Sequence, residues 1–372
     1  MTFAIFTLVQ HKKHRNKYYG YAPYVREMDI WNSHFDHVIV VAPISSSNRI
    51  DSIDIAYKNQ NITFFEVPVL NVKSLSGILK VLVKIPSILF RMFNVMRKAD
   101  HLHFRCPSNI AAMASLVQLF FPKKKKTMRY AGNWDPKSVQ PFGYRFQKFI
   151  FSNTLLTRNI TTLVYGDWPK PTKSMRTFFA ATFHEQDKVD YKPKNYRDCL
   201  NFTFIGALVP GKQPLMAIKI MQLLNTKGVK CKLNIFGDGI LKDELINYIR
   251  ENEIEHMIKI NGNVTKKELM TSLQSAHFNI LPSKSEGWPK AIAEGMFFGV
   301  IPISTNVSCV EWMLDYGKRG IIIENNVKLA VEDIREVISS RDLNVMAKEA
   351  QDWSQKYTIE KQSEEINDIL ST

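Results

Sequence analysis

Two carboxylates, Glu286 and Glu294, flank a short bend and an apolar run in residues 281–303, LPSKSEGWPKAIAEGMFFGVIPI. Gly287, Trp288 and Pro289 form the bend, and Ala291, Ile292 and Ala293 lead the apolar run. Proline suits the first turn of a helix, where a backbone N–H has no intrahelical partner. A helix is therefore predicted to start at the bend, and Gly299 to end it. The apolar segments on either side, 277–281 and 300–303, read as buried strands. The first N–H groups of a helix point outward at the positive end of its dipole, so the bend is an anion site with an acid on each side. Taken singly, either glutamate also reads as a surface residue beside a helix.

A second constellation is cationic. Residues 206–213 read GALVPGKQ between a predicted strand and a predicted helix. They nearly match the phosphate-binding loop G-x-x-x-x-G-K-[ST], with Gln213 where a Mg²⁺-binding hydroxyl would stand. No partner strand ends in a clear Mg²⁺-binding aspartate, which argues against a nucleoside triphosphatase. Lys212 beside a helix start still suits a diphosphate; the alternative is a glycine turn with a solvated lysine. Residues 236–239, FGDG, read as a tight turn capping the next helix. No His, Cys and Asp cluster has metal-ligand spacing, so neither metal nor other cofactor is expected.

The acidic stretch with its flanking strands resembles the signature of retaining glycosyltransferases of the GT-B fold, family 4, in the versions found in bacterial capsule and cell-surface polysaccharide clusters. The resemblance covers residues 201–324 well and the first half only by topology. It implies an N-terminal acceptor domain and a C-terminal nucleotide-sugar domain with a cleft between them. It implies that Glu294 accepts hydrogen bonds from the donor ribose and that Glu286 contacts the donor sugar near the reacting carbon. There a carboxylate stabilises an oxocarbenium-like state, as nucleophile or as electrostatic partner. Gly206, Lys212, Gly287, Trp288, Pro289 and Lys290 would hold the diphosphate, with Val264 beside the base. Family members usually carry an arginine after the first glycine of the Lys212 loop. Ala207 stands there, so one cationic contact is missing or comes from elsewhere, with Lys290 as the candidate. Gly20 is where the family lets the backbone approach the donor phosphate, although the usual doubled glycine is absent; a plain turn glycine is the other reading. Residues 130–135, YAGNWD, end a strand without the histidine common in relatives, so no base is named. Asn133 and Asp135 there, with Arg105 and Arg129, are candidate contacts for an anionic acceptor. His11, His14 and His103 near strand ends are weaker candidates. No D-x-D triplet supports the metal-dependent GT-A class.

A chain of 372 residues argues for two domains. The net charge of +15 is lopsided: residues 1–195 carry 29 Lys/Arg against 12 Asp/Glu, a net of +17. A basic half implies an anionic partner. Basic residues among aliphatics in a helix predicted over 74–98 (Leu79, Lys80, Leu82, Lys84, Arg91), with the tract 123–126, suit an anionic membrane surface. A core-facing helix with a solvated basic face is the other reading. Nucleic acid is disfavoured, because no aromatic and basic residues interleave on one face. The four scattered cysteines fit a reducing compartment. No signal peptide or credible membrane span is seen, so a cytoplasmic enzyme, peripheral on the inner face of the plasma membrane, is expected.

Strands are predicted at 3–9, 37–42, 62–67, 101–105, 127–130, 161–165, 201–206, 232–237 and 321–324, alternating with helices, which argues for two α/β, doubly wound, Rossmann-like domains. The expected division is 1–190, 191–350, and a terminal helix in 351–372 packing back on the first domain, with a polar linker at 185–198. The expected activity is transfer of a sugar from a nucleotide-sugar to a lipid-linked or polysaccharide acceptor. Alternatives are a nucleotide-sugar epimerase or phosphorylase on the same fold, or a nucleic-acid-binding protein.

Overall fold

The computed structural model describes residues 1–45, 47, 49–51, 53–68, 75–169 and 171–371, without the side chains of 75–82. Ser74 and the side chains of Leu79, Lys80 and Leu82 in the predicted basic helix thus lie outside the described residues. The chain divides into two compact units, Met1–Phe178 with Ser363–Thr372, and Phe179–Gln362.

The first unit is built on β1 (Thr2–Phe6), β2 (Lys12–His14), β3 (Lys17–Tyr21), β4 (His37–Ala42), β5 (Asp54–Ala56), β6 (Ile62–Glu66), β7 (His101–Cys106), β8 (Lys125–Tyr130), β9 (Ile160–Tyr165) and β10 (Met175–Phe178). Seven of them form one parallel sheet in the order β10-β9-β8-β7-β1-β4-β6. Side chains alternate across a strand, and the central strands are apolar on both faces. Ala4, Phe6, Ile39 and Val41 face one core with Met92, Ala111 and Phe151 from the helices Leu75–Lys98, Asn109–Val117 and Phe142–Ser152. Phe3, Ile5, Val38 and Val40 face the other, with Met28 and Trp31 of Ala22–Asn32 and Ile366 and Ile369 of the terminal helix Ile359–Ser371.

The second unit carries β11 (Leu200–Ile205), β12 (Cys231–Phe236), β13 (Ile258–Gly262), β14 (Phe278–Leu281), β15 (Ile301–Thr305) and β16 (Ile321–Ile323). They form a parallel sheet ordered β13-β12-β11-β14-β15-β16. Both units are therefore doubly wound, as the alternation of strands and helices predicts. Within the second unit, Lys194 Nζ donates to the carbonyls of Ala276 (2.5 Å) and Gly299 (3.0 Å), tying residues 185–198 to the ends of two helices.

Three features differ from the sequence-based expectation. Residues 11–19, expected as a loop, form a hairpin, β2 against β3, turned at Arg15 and Asn16 in the left-handed region and paired onward to β5. Their charged, non-alternating side chains hide the strand pattern. The lysine tract is not uniformly solvated. Lys126 lies in β8, 2% exposed, and donates to the carbonyls of Phe121, Lys124 and Arg158. Lys124 caps the helix Leu75–Lys98 through Ala99 O at 2.5 Å. The helix Leu343–Ser354 was not anticipated, although Asp342 caps it and Leu343, Met346, Ala347 and Ala350 mark its buried stripe. Among the described residues no helix is long and apolar enough to cross a membrane.

Candidate active site

In the second unit the strand order reverses between β11 and β14, and ligands of doubly wound sheets bind outside the carboxyl ends of strands at such a switch point. The two constellations singled out in the sequence follow these neighbouring strands. Residues 206–213 leave β11, and the acidic bend leaves β14. Gly237 presses against the first loop: a Cβ there would stand 1.9 Å from Gly206 O, at a backbone φ of +138°. No larger residue fits without displacing the loop. Leu208 N donates to Asp238 O (3.0 Å) and Lys212 N to Val209 O (3.0 Å), closing the turn. The FGDG stretch is thus the buttress of the loop.

Lys212 Nζ meets Glu286 Oε1 at 2.5 Å, bridging the two loops. The Glu286 side chain is 7% exposed and that of Lys212 29%. A carboxylate this buried needs the partner, and the lysine keeps an open side. Gln213 adopts a left-handed conformation (φ +53°) just before the helix Pro214–Thr226. Its Nε2 donates to Pro282 O (2.5 Å) and Asn325 Oδ1 (2.8 Å). The position that holds Mg²⁺ in a triphosphatase loop is here a clamp between loops. Lys284 N completes it by donating to Gly211 O at 2.9 Å.

Pro289 caps the helix Lys290–Phe297 and its carbonyl accepts from Ile292 N and Ala293 N. Gly287 O is held by Ser308 Oγ at 2.8 Å, which fixes the peptide that turns into the helix. Trp288 is buried among Trp312, Trp353 and Tyr357, with centroids 6.4, 6.2 and 5.9 Å away. Its indole braces the bend from inside. Gly295 lets the helix close on β14, since a Cβ would meet Asn279 Nδ2 at 2.8 Å; that amide donates to Ala291 O (2.5 Å). Glu294 Oε1 accepts from Thr182 Oγ1 at 2.9 Å. Burial raises the Glu294 pKa above its ordinary value, against the opposing pull of Thr182, Lys290 and Lys266. Val264 follows β13, just past Gly262.

In the first unit Gly20 lies within β3, with Val25 and His11 within 3.4 Å of where its Cβ would be; it is not a turn glycine. Arg105 and Arg129 converge on one acid absent from the sequence-based candidates. Glu27 Oε1 accepts from Arg105 Nη1 (2.6 Å) and forms an ion pair with Arg129 Nε (2.8 Å). Arg129 is 1% exposed, with Phe178 and Tyr165 against its guanidinium (4.4 and 4.9 Å). It organises the strand ends from inside, and Arg105 is nearer the surface. A signal for Glu27 existed: it falls on the apolar stripe Tyr24, Met28, Trp31 of its helix. Asn133 and Asp135 are engaged in their own turn, Asn133 Oδ1 accepting from Asp135 N and Asp135 Oδ1 from Lys137 N (both 2.8 Å). Lys148 Nζ pins this loop through Trp134 O at 3.0 Å. His11 is locked between Val9 O and Tyr57 Oη, and burial lowers its pKa to about 4; His103 is buried against Thr127. Both are core histidines.

Two doubly wound parallel sheets define a mixed α/β chain of GT-B architecture. Residues 186–356 match the family model of glycosyl transferases group 1. An uncharacterised glycosyltransferase of Methanocaldococcus jannaschii is 28% identical over 160 residues, 42% of this chain and 44% of that protein. The UDP-Gal:alpha-D-GlcNAc-diphosphoundecaprenol alpha-1,3-galactosyltransferase of Escherichia coli is 25% identical over 178 residues, 46% of each chain. The matches thus span less than half of these curated relatives. The Anabaena protein HepE, solved in complex with UDP and glucose, superposes with a TM-score of 0.66 at 13% identity, over 100% of both chains.

Proposed function

We propose that this chain is a retaining, metal-independent glycosyltransferase of the family 4 type. It moves a sugar from a nucleotide-diphosphate donor, in our reading a uridine one, to a lipid-linked or polysaccharide acceptor of bacterial cell-surface glycan synthesis. The observation that carries this is the Lys212–Glu286 ion pair at the switch point of the second unit, beside the start of the helix that bears Glu294. Lys212 and the first N–H groups of that helix, with Lys290, neutralise the diphosphate and its growing charge as the sugar leaves. That arrangement supplies cationic character that a metal would otherwise bring. Glu294 takes the ribose hydroxyls, and its two acceptor oxygens explain why an acid serves there. Glu286 is nearest the reacting carbon and stabilises the oxocarbenium-like state with its negative charge. Donor phosphate arriving at Lys212 competes for the lysine and frees Glu286 for the sugar. Arg105, at the end of β7, is the contact proposed for an anionic acceptor, with Arg129 and Glu27 setting its position. The excess of basic residues in the first half supports a position at the inner face of the plasma membrane.

The test is turnover of UDP-sugars by the parent chain and by Glu286→Ala and Lys212→Ala, in the presence of a chelator, with the product anomer read by NMR. Loss of turnover of about a hundredfold or more in both variants is expected, the scale of removing one preorganised electrostatic contact. Unaltered transfer in both, or an inverted anomer, overturns the assignment. Epimerised donor recovered without acceptor would indicate the epimerase alternative.

A further inference from the structure

A pocket of about 350 Å³ in the first unit lies away from every residue assigned above, at the carboxyl ends of β4 and β6 under the helix Leu75–Lys98. Val41, Phe65, Val67, Pro68, Ile88 and Met92 give it apolar walls. Lys84, Ser87 and Arg91, which follow one face of the helix at spacings of three, four and seven, stand at its mouth with Glu66 opposite. We propose that this pocket holds the hydrocarbon chain of an anionic lipid, with Lys84 and Arg91 taking its phosphate.

Three observations converge on that occupant. The pocket lies outside the carboxyl ends of β4 and β6, to one side of the strand-order reversal between β1 and β7, and its walls have little to offer a sugar or a base. Its mouth carries two cations against one carboxylate, in a half of the chain with a net charge of +17, so a neutral lipid would leave charge uncompensated. The same helix also exposes Val83, Phe90 and Phe93, with Phe93 against Phe120 and Phe121 at centroid distances of 6.2 and 4.9 Å. Phe120 is itself 73% exposed. Exposed apolar side chains on the helix that carries Lys84 and Arg91 favour a bilayer interface, which would bring the pocket mouth to the lipid. A second copy of this chain would present the same excess of positive charge and be repelled. The proposal rests on the lipid-linked reading of the acceptor and says where the lipid sits.

The experiment is titration of the full chain with monomeric n-dodecyl phosphate, against n-dodecanol and inorganic phosphate. Three chains are compared: the parent, Lys84→Glu/Arg91→Glu, and Ser87→Trp, which fills the mouth. Melting temperatures establish that each folds. Saturable binding to the parent is expected, weakened at least about tenfold in both variants and for both control ligands, the scale of one lost charge-assisted contact. Equal binding by parent and variants, or equal affinity for dodecanol, overturns the pocket. If dodecyl phosphate binds as expected but no sugar reaches a lipid-linked acceptor, the pocket stands and the acceptor reading falls. If transfer to such an acceptor proceeds equally in both variants, the reverse holds.

Discussion

Replacing Lys212 with methionine separates what the ion pair does for stability from what it does for the donor. The lysine's hydrocarbon stem is largely kept, but Glu286 loses its counter-charge at 2.5 Å while its side chain remains only 7% exposed. Breaking a fully buried pair costs about 3–5 kcal/mol, because the surviving charge is left uncompensated. Lys212 is 29% exposed, and water entering the space it leaves recovers part of that cost, so about 2 kcal/mol is the reasonable figure. For a unit the size of Phe179–Gln362 this corresponds to about 4–8 °C in melting temperature. Glu286→Gln removes the charge that needs compensation and should cost less. The double variant Lys212→Met/Glu286→Gln should recover most of the loss, giving a coupling of about 1–2 kcal/mol in a double-mutant cycle. UDP binding follows a different pattern. It should weaken at least about tenfold in both chains that lack Lys212 and stay near the parental value in Glu286→Gln, since the lysine and not the acid meets the diphosphate. Urea unfolding and calorimetric titration of the four chains measure both. Additive stability effects would refute the coupling, and unweakened UDP binding in Lys212→Met would refute the donor role.

Glu294→Gln should raise the melting temperature of the ligand-free protein near neutral pH. A carboxyl whose folded pKa is raised holds its proton more tightly folded than unfolded, so its contribution to stability falls as pH rises from about 4.5 through the folded value. The gain should disappear below pH 4.5, where the group is protonated in both states, and UDP binding should weaken as stability improves; melting curves across pH read the first and calorimetry the second. Gly237→Ala should destabilise the second unit by roughly 3 kcal/mol and displace the Lys212 loop, because its Cβ would collide with Gly206 O in a left-handed backbone; urea unfolding checks this. Glu27→Gln removes the carboxylate shared by two buried guanidiniums and should cost about 3 kcal/mol or more of first-unit stability, again by urea unfolding, with UDP affinity unchanged.

Much of the architecture is legible because a doubly wound sheet writes itself as short apolar runs separated by amphipathic helices. The strand predicted at 37–42 matches His37–Ala42 in the structure, and the one predicted at 161–165 falls within Ile160–Tyr165. What escaped lacks that pattern. Residues 12–14 and 17–21 pair as strands without an apolar alternation to announce them. β13 (Ile258–Gly262) offers two isoleucines separated by a lysine. Lys126 is one of four consecutive lysines, and nothing local marks it as the one turned inward among three carbonyls. The same limit governs the site. Lys212 and Glu286 can be singled out from their loops, but their pairing depends on β11 and β14 being neighbours, which is a property of strand order. Trp288 stands in the most telling stretch of the sequence, yet its partners Trp312, Trp353 and Tyr357 lie far along the chain.

The acidic bend is held on every side by groups that are not themselves candidates for contact with a donor. Ser308 fixes the carbonyl of Gly287, the aromatic cluster fixes the indole of Trp288, and Asn279 fixes the first turn of the helix through Ala291 O. Gln213 and Lys284 hold the facing loop. A backbone constrained in this way has its N–H groups oriented before any anion arrives, so little ordering entropy remains to be lost on binding. The two acids show the cost of that rigidity. Glu286 is buried with a single cation for compensation, and Glu294 is buried enough that its proton is retained above the usual range. Neither arrangement is what a fold selected for stability alone would keep, since an amide or an apolar residue would sit more comfortably at either position. Their joint presence after β14, Glu286 in the bend and Glu294 in the helix it opens, is what the proposed polyhydroxylated, diphosphate-bearing donor would account for.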